Sequence, residues 1–135
     1  MERPIGYWVK SLDRLLEGTL DDALGQAGIG RRHWQTLNVL AEAARTEAEV
    51  ATELAPFVTA DPIAAPSVLA DLVRLGWAAP GERFALTDEG RAALNDLRAE
   101  VARLRRRATD GLSEDDYRTT VATLRRMTQN LSPTG

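Results

Sequence analysis

The stretch from Leu72 to Arg91, LVRLGWAAPGERFALTDEGR, combines a helix end, a turn and a helix start. Gly76 is a good left-handed terminator of a helix, and Pro80-Gly81 is the pair that a type II turn requires. The short runs on either side of that turn therefore predict a tight β-hairpin. Thr87 is a favourable N-cap for the helix that follows, and its next two residues are carboxylates, which suit the positive end of that helix.

Two short helices are predicted on the N-terminal side of this stretch. Pro66 fits the first turn of a helix that ends at Gly76, because a proline is tolerated there and disrupts a helix further in. Residues 59–65 before it are expected to form a loop. Thr46 and Glu49 have the spacing of a capping box, in which a hydroxyl and a carboxylate each satisfy a backbone amide. They predict a separate short helix that carries Val50, Leu54 and Phe57.

Two longer helices are predicted before the capping box. The first opens at Pro4, stops at Gly28 and carries an apolar stripe of period 3.6. The second runs from about Arg31 to Arg45. The stripe of the first helix is wider than a monomer of this size easily covers.

The C-terminal part of the chain predicts two more helices with narrow apolar seams. The fifth helix carries Leu94, Leu97, Val101, Leu104 and Ala108 at spacings of three and four, which is a seam of the coiled-coil type. Asp110-Gly111 breaks it. Ser113 with Asp116 restarts a sixth helix. The seam of that helix comprises Tyr117, Val121, Leu124, Thr128 and Leu131.

Composition narrows the possible functions. The chain has 135 residues, no cysteine and a formal net charge of −3. It is long enough for one compact domain, and the absence of cysteine excludes disulfides and thiolate metal sites. No apolar run reaches the length of a membrane span and the start lacks a leader, so a cytoplasmic protein with no membrane partner is expected. The single histidine has no ligand cluster around it, and no metal or cofactor is predicted.

Four segments resemble the MarR family of winged helix-turn-helix regulators, and together they cover nearly the whole chain. They are Ile5-Gly6-Tyr7-Trp8 with Leu12-Asp13-Arg14-Leu15, then Gly30 to Leu37, then Leu72 to Trp77, and finally Phe84 to Arg91. The resemblance implies a mainly α fold of about six helices with a short β-hairpin wing. It also implies one domain, 1–135, in which 31–91 form the winged helix-turn-helix and 88–109 a long linking helix.

The resemblance further implies a homodimer held by helices 1–28 and 109–131. Surplus apolar seams support this independently, because a symmetric dimer is the commonest way to bury such surface. The residues expected at the dimer interface are Ile5, Val9, Leu12, Tyr117, Val121, Leu124 and Leu131.

The resemblance implies a transcriptional regulator whose partner is double-stranded operator DNA. The residues expected to contact DNA are Ser67, Arg74, Arg83, Ile63 and Ala64. The expected base-reading positions fall near Pro62 to Ser67, where only Ser67 offers a side-chain hydrogen bond. The segment from Pro56 to Gly76 has a net charge of −1, which is a poor match to phosphates. An alternative therefore stays open, in which a dimer of this fold with a degenerate reading head binds a small molecule or a protein.

Aromatic residues near the two N-terminal helices form a candidate effector pocket. Its expected members are Tyr7, Trp8, His33 and Trp34, and a small aromatic compound is the expected ligand, because the resemblance implies an effector pocket between the dimer helices and the winged domain. Pockets of this kind are mostly apolar with few polar anchors. No nucleophile, paired-carboxylate or metal motif can be inferred from the sequence, so an enzyme is not expected.

Overall fold

The computed structural model describes residues 2–57 and 65–133, and it contains six helices and one small sheet. The helices are α1 (Ile5–Gln26), α2 (Arg31–Glu42), α3 (Glu47–Leu54), α4 (Ala65–Arg74), α5 (Asp88–Ala108) and α6 (Glu114–Leu131), and a 3-10 turn (Ala55–Phe57) follows α3. Strands β1 (Ala78–Ala79) and β2 (Ala85–Leu86) pair antiparallel. The predicted mainly α architecture with a hairpin wing is confirmed.

The chain divides into two compact units, Met1–Val101 and Ala102–Gly135, and the first contains the hydrophobic core. Helices α2 to α5 contribute buried leucine or valine side chains at helical spacing, as the periodicity predicts, and α1 contributes Leu24 alone. The buried set comprises Leu24, Ile29, Leu37, Leu40, Val50, Leu54, Ala65, Val68, Leu69, Leu72, Ala78, Leu86, Leu94 and Leu97. Burial of this apolar area is the main term that stabilises the winged unit.

The two predicted capping boxes and the predicted glycine terminators of α1 and α4 are confirmed. The Glu49 amide donates to Thr46 Oγ1 at 3.1 Å, and the Thr46 amide donates to Glu49 Oε1 at 3.2 Å. Ser113 and Asp116 form the same reciprocal box at the start of α6. Gly28 and Gly76 adopt φ of 79° and 81°, the left-handed conformation that terminates a helix.

The predicted extent of α2 is wrong, because the helix ends at Glu42 and not at Arg45. Ala43 is already extended, and Arg45 forms a β-bridge with Phe84 next to the wing. The Arg45 amide donates to the Phe84 carbonyl at 3.0 Å, and the Phe84 amide donates to the Arg45 carbonyl at 2.7 Å. These two bonds to a distant segment replace the helical bonds that the local pattern favours.

The predicted type II turn in the wing is also wrong. Ala79 pairs with Ala85, so residues 80–84 all lie in the connection. A type II turn needs positive φ at its third residue, whereas the glycines of the described chain with positive φ do not include Gly81. The pairing of Phe84 with Arg45 explains the wider loop, since it holds Phe84 out of the two-stranded ladder.

The second unit contains the C-terminal end of α5 and the whole of α6. The end of α5 leads through Gly111, with φ of 83°, to the capping box of α6. All side chains of α6 that the structure describes are exposed to some extent, and none is classed as buried. The apolar seam that the sequence predicts is therefore present but uncovered in the described chain.

Candidate nucleic-acid interface

Helix α4 presents one buried face and one exposed face. Val68, Leu69 and Leu72 point into the core, whereas Ser67 and Arg74 are exposed. Ser67 lies in the first turn of α4, where its hydroxyl is accessible from outside the protein. The predicted DNA contacts Ile63 and Ala64, and most of the predicted 59–65 loop, lie outside the described residues.

A groove of about 380 Å³ lies between the outer face of α4 and the wing, and residues of both line it. Its apolar lining comprises Pro66, Leu69, Ala70 and Val73 of α4 with Pro80 and Phe84 of the wing. Glu47 and Arg74 supply its charged groups. The exposed face of α4 and the wing therefore form one continuous surface, here called the reading surface: the exposed residues of α4 together with residues 80–84.

Arg74, a predicted DNA contact, is held by a carboxylate on its own helix. Its Nη2 donates to Asp71 Oδ1, and the side chain stays largely exposed. The other oxygen of Asp71 lies 2.9 Å from His33 Nε2. The hydrogen bond from His33, and then that from Arg74, lower the pKa of Asp71 below its ordinary value.

His33, predicted to line an effector pocket, ties the start of α2 to α4. The Gly30 amide donates to His33 Nδ1 at 3.1 Å, which caps α2. Because Nδ1 accepts that hydrogen bond, the ring proton is on Nε2 and is donated to Asp71. Both ring nitrogens are therefore used by the protein itself.

Arg83, the predicted cation of the wing, is held in a similar way. Its Nη1 donates to Glu49 Oε1 at 2.9 Å and, more weakly, to the Ala44 carbonyl at 3.4 Å. More than half of the Arg83 side chain remains exposed. The hydrogen bonds from Thr46, with smaller contributions from Arg83 and Arg45, lower the pKa of Glu49 below its ordinary value.

The other predicted pocket residues are Tyr7, Trp8 and Trp34. Tyr7 and Trp8 meet edge to face with ring centroids 5.0 Å apart, and Arg3 lies over the Tyr7 ring. Helix α2 contacts the C-terminal half of α1, where Arg31 forms ion pairs with Glu17 and Asp21. Glu17 follows Tyr7 by ten residues, or roughly 15 Å of helix. Trp34 packs against the core. Tyr7 and Trp8 therefore contact each other, and a pocket that combines them with His33 and Trp34 stays a prediction.

The residues predicted at a dimer interface are exposed in the single chain. Their exposed fractions are Ile5 53%, Val9 45%, Leu12 51%, Tyr117 47%, Val121 44%, Leu124 37% and Leu131 88%. Of the α1 residues that the structure describes, Leu24 alone is fully buried. Large apolar side chains at helical spacing thus stay in solvent on both terminal helices.

The sequence interpretation did not identify Glu49 and Asp71 as the partners of the two arginines, although it assigned Glu49 to a capping box. The spacing of Asp71 and Arg74 is i and i+3 on a helix, so that pair is readable from the sequence. Glu49 and Arg83 are 34 residues apart, and no local pattern predicts their contact. Among residues 2–57 and 65–133 there is no cluster of ligands that could hold a metal ion.

Solved structures match this chain over most of its length. The MarR family protein Rv2887 from Mycobacterium tuberculosis in complex with DNA is 25% identical, over 93% of this chain and 98% of that one, with a TM-score of 0.74. The same protein in complex with salicylic acid is 25% identical over 93% and 99%, with a TM-score of 0.63. A MarR family transcriptional regulator from Silicibacter pomeroyi is 15% identical over 95% and 93%, with a TM-score of 0.70.

The chain has the MarR winged helix-turn-helix fold. A scan against models of known protein families finds no match, and a search of curated proteins finds none either. None of the helices described here is both long and apolar enough to cross a membrane.

Proposed function

We propose that this chain is a cytoplasmic transcriptional regulator that binds operator DNA as a homodimer. The observation that carries the proposal is the match, at 25% identity over 93% of the chain, to a MarR family protein in complex with DNA. The exposed face of α4 and its continuity with the wing support the same function. The proposal assigns the chain no catalytic activity.

The dimer in this proposal uses the two terminal segments. Helix α1 within 1–28 and helix α6 within 109–131 supply the contacts, the segment 31–91 forms the reading head, and 88–109 links the two. The exposed seams of α1 and α6 support this assignment, because contiguous apolar surface of this kind on a soluble chain marks an interaction site. A two-fold dimer buries the same seam on both copies.

The DNA contact in this proposal is made by the reading surface. Helix α4 enters the major groove with Ser67 and Arg74 on its outer face, and the preceding residues Ile63 and Ala64 add apolar contacts. Arg83 approaches the adjacent backbone or the minor groove. Hydroxyl groups and apolar contact with thymine methyls can read base edges, and arginine contacts with phosphates supply affinity. Because the reading surface has few cations, we expect shape and apolar contacts to contribute more to its affinity for DNA than charge does.

Equilibrium binding to the upstream region of the protein's own gene tests the proposal. We expect the fluorescence anisotropy of a labelled duplex to rise with protein at submicromolar to micromolar concentration in 50 mM salt. We also expect log K to fall linearly with log salt, with a slope of about −0.9 for each phosphate neutralised. A random duplex of equal length is the control. No change in anisotropy at 10 µM protein in about 50 mM salt would rule the proposal out.

A second candidate is favoured by the charge of the reading head. Helix α3 carries Glu47, Glu49 and Glu53 without a basic residue, and α4 adds Asp71 against Arg74. In this alternative the dimer is a ligand-binding or protein-binding module, and a small aromatic effector binds near Tyr7, Trp8, His33 and Trp34. The mycobacterial protein in complex with salicylic acid supports a test with that compound. Millimolar salicylate should raise the melting temperature, whereas unchanged melting would count against an effector of this class.

A further inference from the structure

Both arginines of the reading surface are already bound to carboxylates of the protein itself. Arg83 donates to Glu49 at 2.9 Å, and Arg74 donates to Asp71. Each carboxylate has further partners: Glu49 closes the capping box of α3 and lies 4.0 Å from Arg45 Nη1, and Asp71 accepts from His33. The two acids are thus fixed in place beside the two cations.

We propose that Glu49 and Asp71 are selectivity-determining residues, which hold Arg83 and Arg74 and so weaken the sequence-independent attraction of this protein to DNA. The inference rests on the proposed DNA-binding function and says how that function is tuned. Selectivity is the ratio of specific to non-specific affinity, and non-specific affinity comes almost entirely from cation–phosphate contacts. A carboxylate that keeps an arginine occupied therefore lowers the non-specific affinity for DNA more than the specific affinity.

The geometry supports a competition between carboxylate and phosphate. A guanidinium has five donors, and the Glu49 pair uses Nη1 of Arg83, which also reaches the Ala44 carbonyl. A phosphate that approaches the free side of this group meets the negative charge of Glu49 only a few ångströms behind it. A phosphate that approaches the exposed side of Arg74 likewise meets the negative charge of Asp71 behind the guanidinium. The pKa of each carboxyl is lowered, so both stay ionised at neutral pH.

Glu49→Gln and Asp71→Asn test the inference with little disturbance of the fold. A glutamine still accepts the Thr46 amide in a capping box, and an asparagine oxygen still accepts from His33 Nε2. The structural partners are therefore kept, while the negative charge and the hydrogen bond from Arg74 to Asp71 are lost. With a random-sequence duplex in low salt we expect affinity to rise about two- to threefold for each variant, the Coulomb effect of one charge at roughly 6 Å in water. We expect the salt slope to become more negative by up to about 0.9 as the released arginine gains a phosphate.

Glu53→Gln is the matched control, because it removes the same charge one turn further along α3 from a residue that has no ion pair among those the structure describes. Its salt slope should stay at the wild-type value. Arg83→Gln supplies a second comparison. In that background any steepening that Glu49→Gln still causes reports the loss of the Arg45 pair, and the double-mutant cycle isolates the contribution of the Glu49–Arg83 pair.

The outcomes separate this inference from the proposed function. If wild-type protein binds its upstream DNA but both amide variants keep the wild-type affinity and slope for random DNA, the inference is wrong and the proposed function stands. Weaker binding by folded amide variants also overturns the inference, because it means that the ion pairs pre-organise the wing for DNA. If wild-type protein binds no DNA and the amide variants do, the inference stands and the proposed function is wrong.

Discussion

Gly90→Ala should lower the free energy of unfolding by about 3 kcal/mol, the upper part of the usual cost of overpacking. A Cβ added at Gly90 would lie 2.1 Å from the Trp77 carbonyl oxygen and 2.9 Å from its carbon. Both are backbone atoms, so no side-chain rotation relieves the clash. Either α5 or the start of the wing has to move.

The surroundings of Gly90 explain why that movement is costly. The Thr87 amide donates to the Trp77 carbonyl at 3.0 Å, and the Thr87 hydroxyl donates to the Gly76 carbonyl at 2.6 Å. The Gly90 amide in turn donates to Thr87 Oγ1 at 3.0 Å. The end of α4, the first wing strand and the start of α5 are therefore tied together at the position where the methyl group would enter.

Urea denaturation followed by circular dichroism measures the effect. Gly25→Ala is the control, since it lies near the end of helix α1 with no heavy atom within 4 Å of the added Cβ. It should stabilise the protein by a few tenths to about 1 kcal/mol, through the higher helix propensity of alanine. A Gly90→Ala variant within about 0.5 kcal/mol of the wild type, the range of neutral surface changes, would contradict the close approach of α5 to the wing.

Leu12→Asp and Val121→Asp should each convert a dimer into monomers at micromolar concentration. Both side chains are about half exposed in the single chain, so the fold of the monomer loses little. In the proposed dimer each aspartate would be a buried charge without a partner, which costs about 3 kcal/mol or more. That cost corresponds to a rise in the dimer dissociation constant of at least about 100-fold.

Sedimentation velocity across a concentration series distinguishes the two states. We expect wild-type protein to sediment as a species of twice 14.8 kDa and both variants as one of 14.8 kDa. Ala92→Asp is the matched control, because it adds the same charge to an exposed position in the N-terminal part of α5, where an acidic residue is tolerated. Wild-type protein that sediments as a monomer, or variants that remain dimeric, would contradict the assignment of α1 and α6 to the interface.

The elements that the sequence predicted correctly depend on local chemistry. The two capping boxes need a hydroxyl and a carboxyl three residues apart, and the helix ends at Gly28 and Gly76 need a residue that tolerates positive φ. The core follows from helical periodicity, since Leu94 and Leu97 of the predicted α5 seam are buried. Contacts between residues that are three or four positions apart in the chain can therefore be predicted from the sequence.

The elements that the sequence missed depend on contacts between distant segments. The bridge from Arg45 to Phe84 shortens α2 and widens the wing loop, and neither segment alone indicates the other. The contact of Glu49 with Arg83 is equally non-local, so Arg83, a predicted DNA contact, is bound to a carboxylate that no local pattern indicates. The structure also assigns both nitrogens of His33 to Gly30 and Asp71, a role that no spacing rule indicates.

Hydroxyl-radical footprinting of the complex with upstream DNA tests the central claim most directly, because it reports the dimer and the DNA contact together. Two winged heads related by a two-fold axis should protect two patches on one face of the duplex, with centres about one helical turn or roughly 34 Å apart. The Leu12→Asp variant should lose this paired protection. A single short patch, or uniform cleavage at saturating protein, would contradict a dimeric winged-helix regulator.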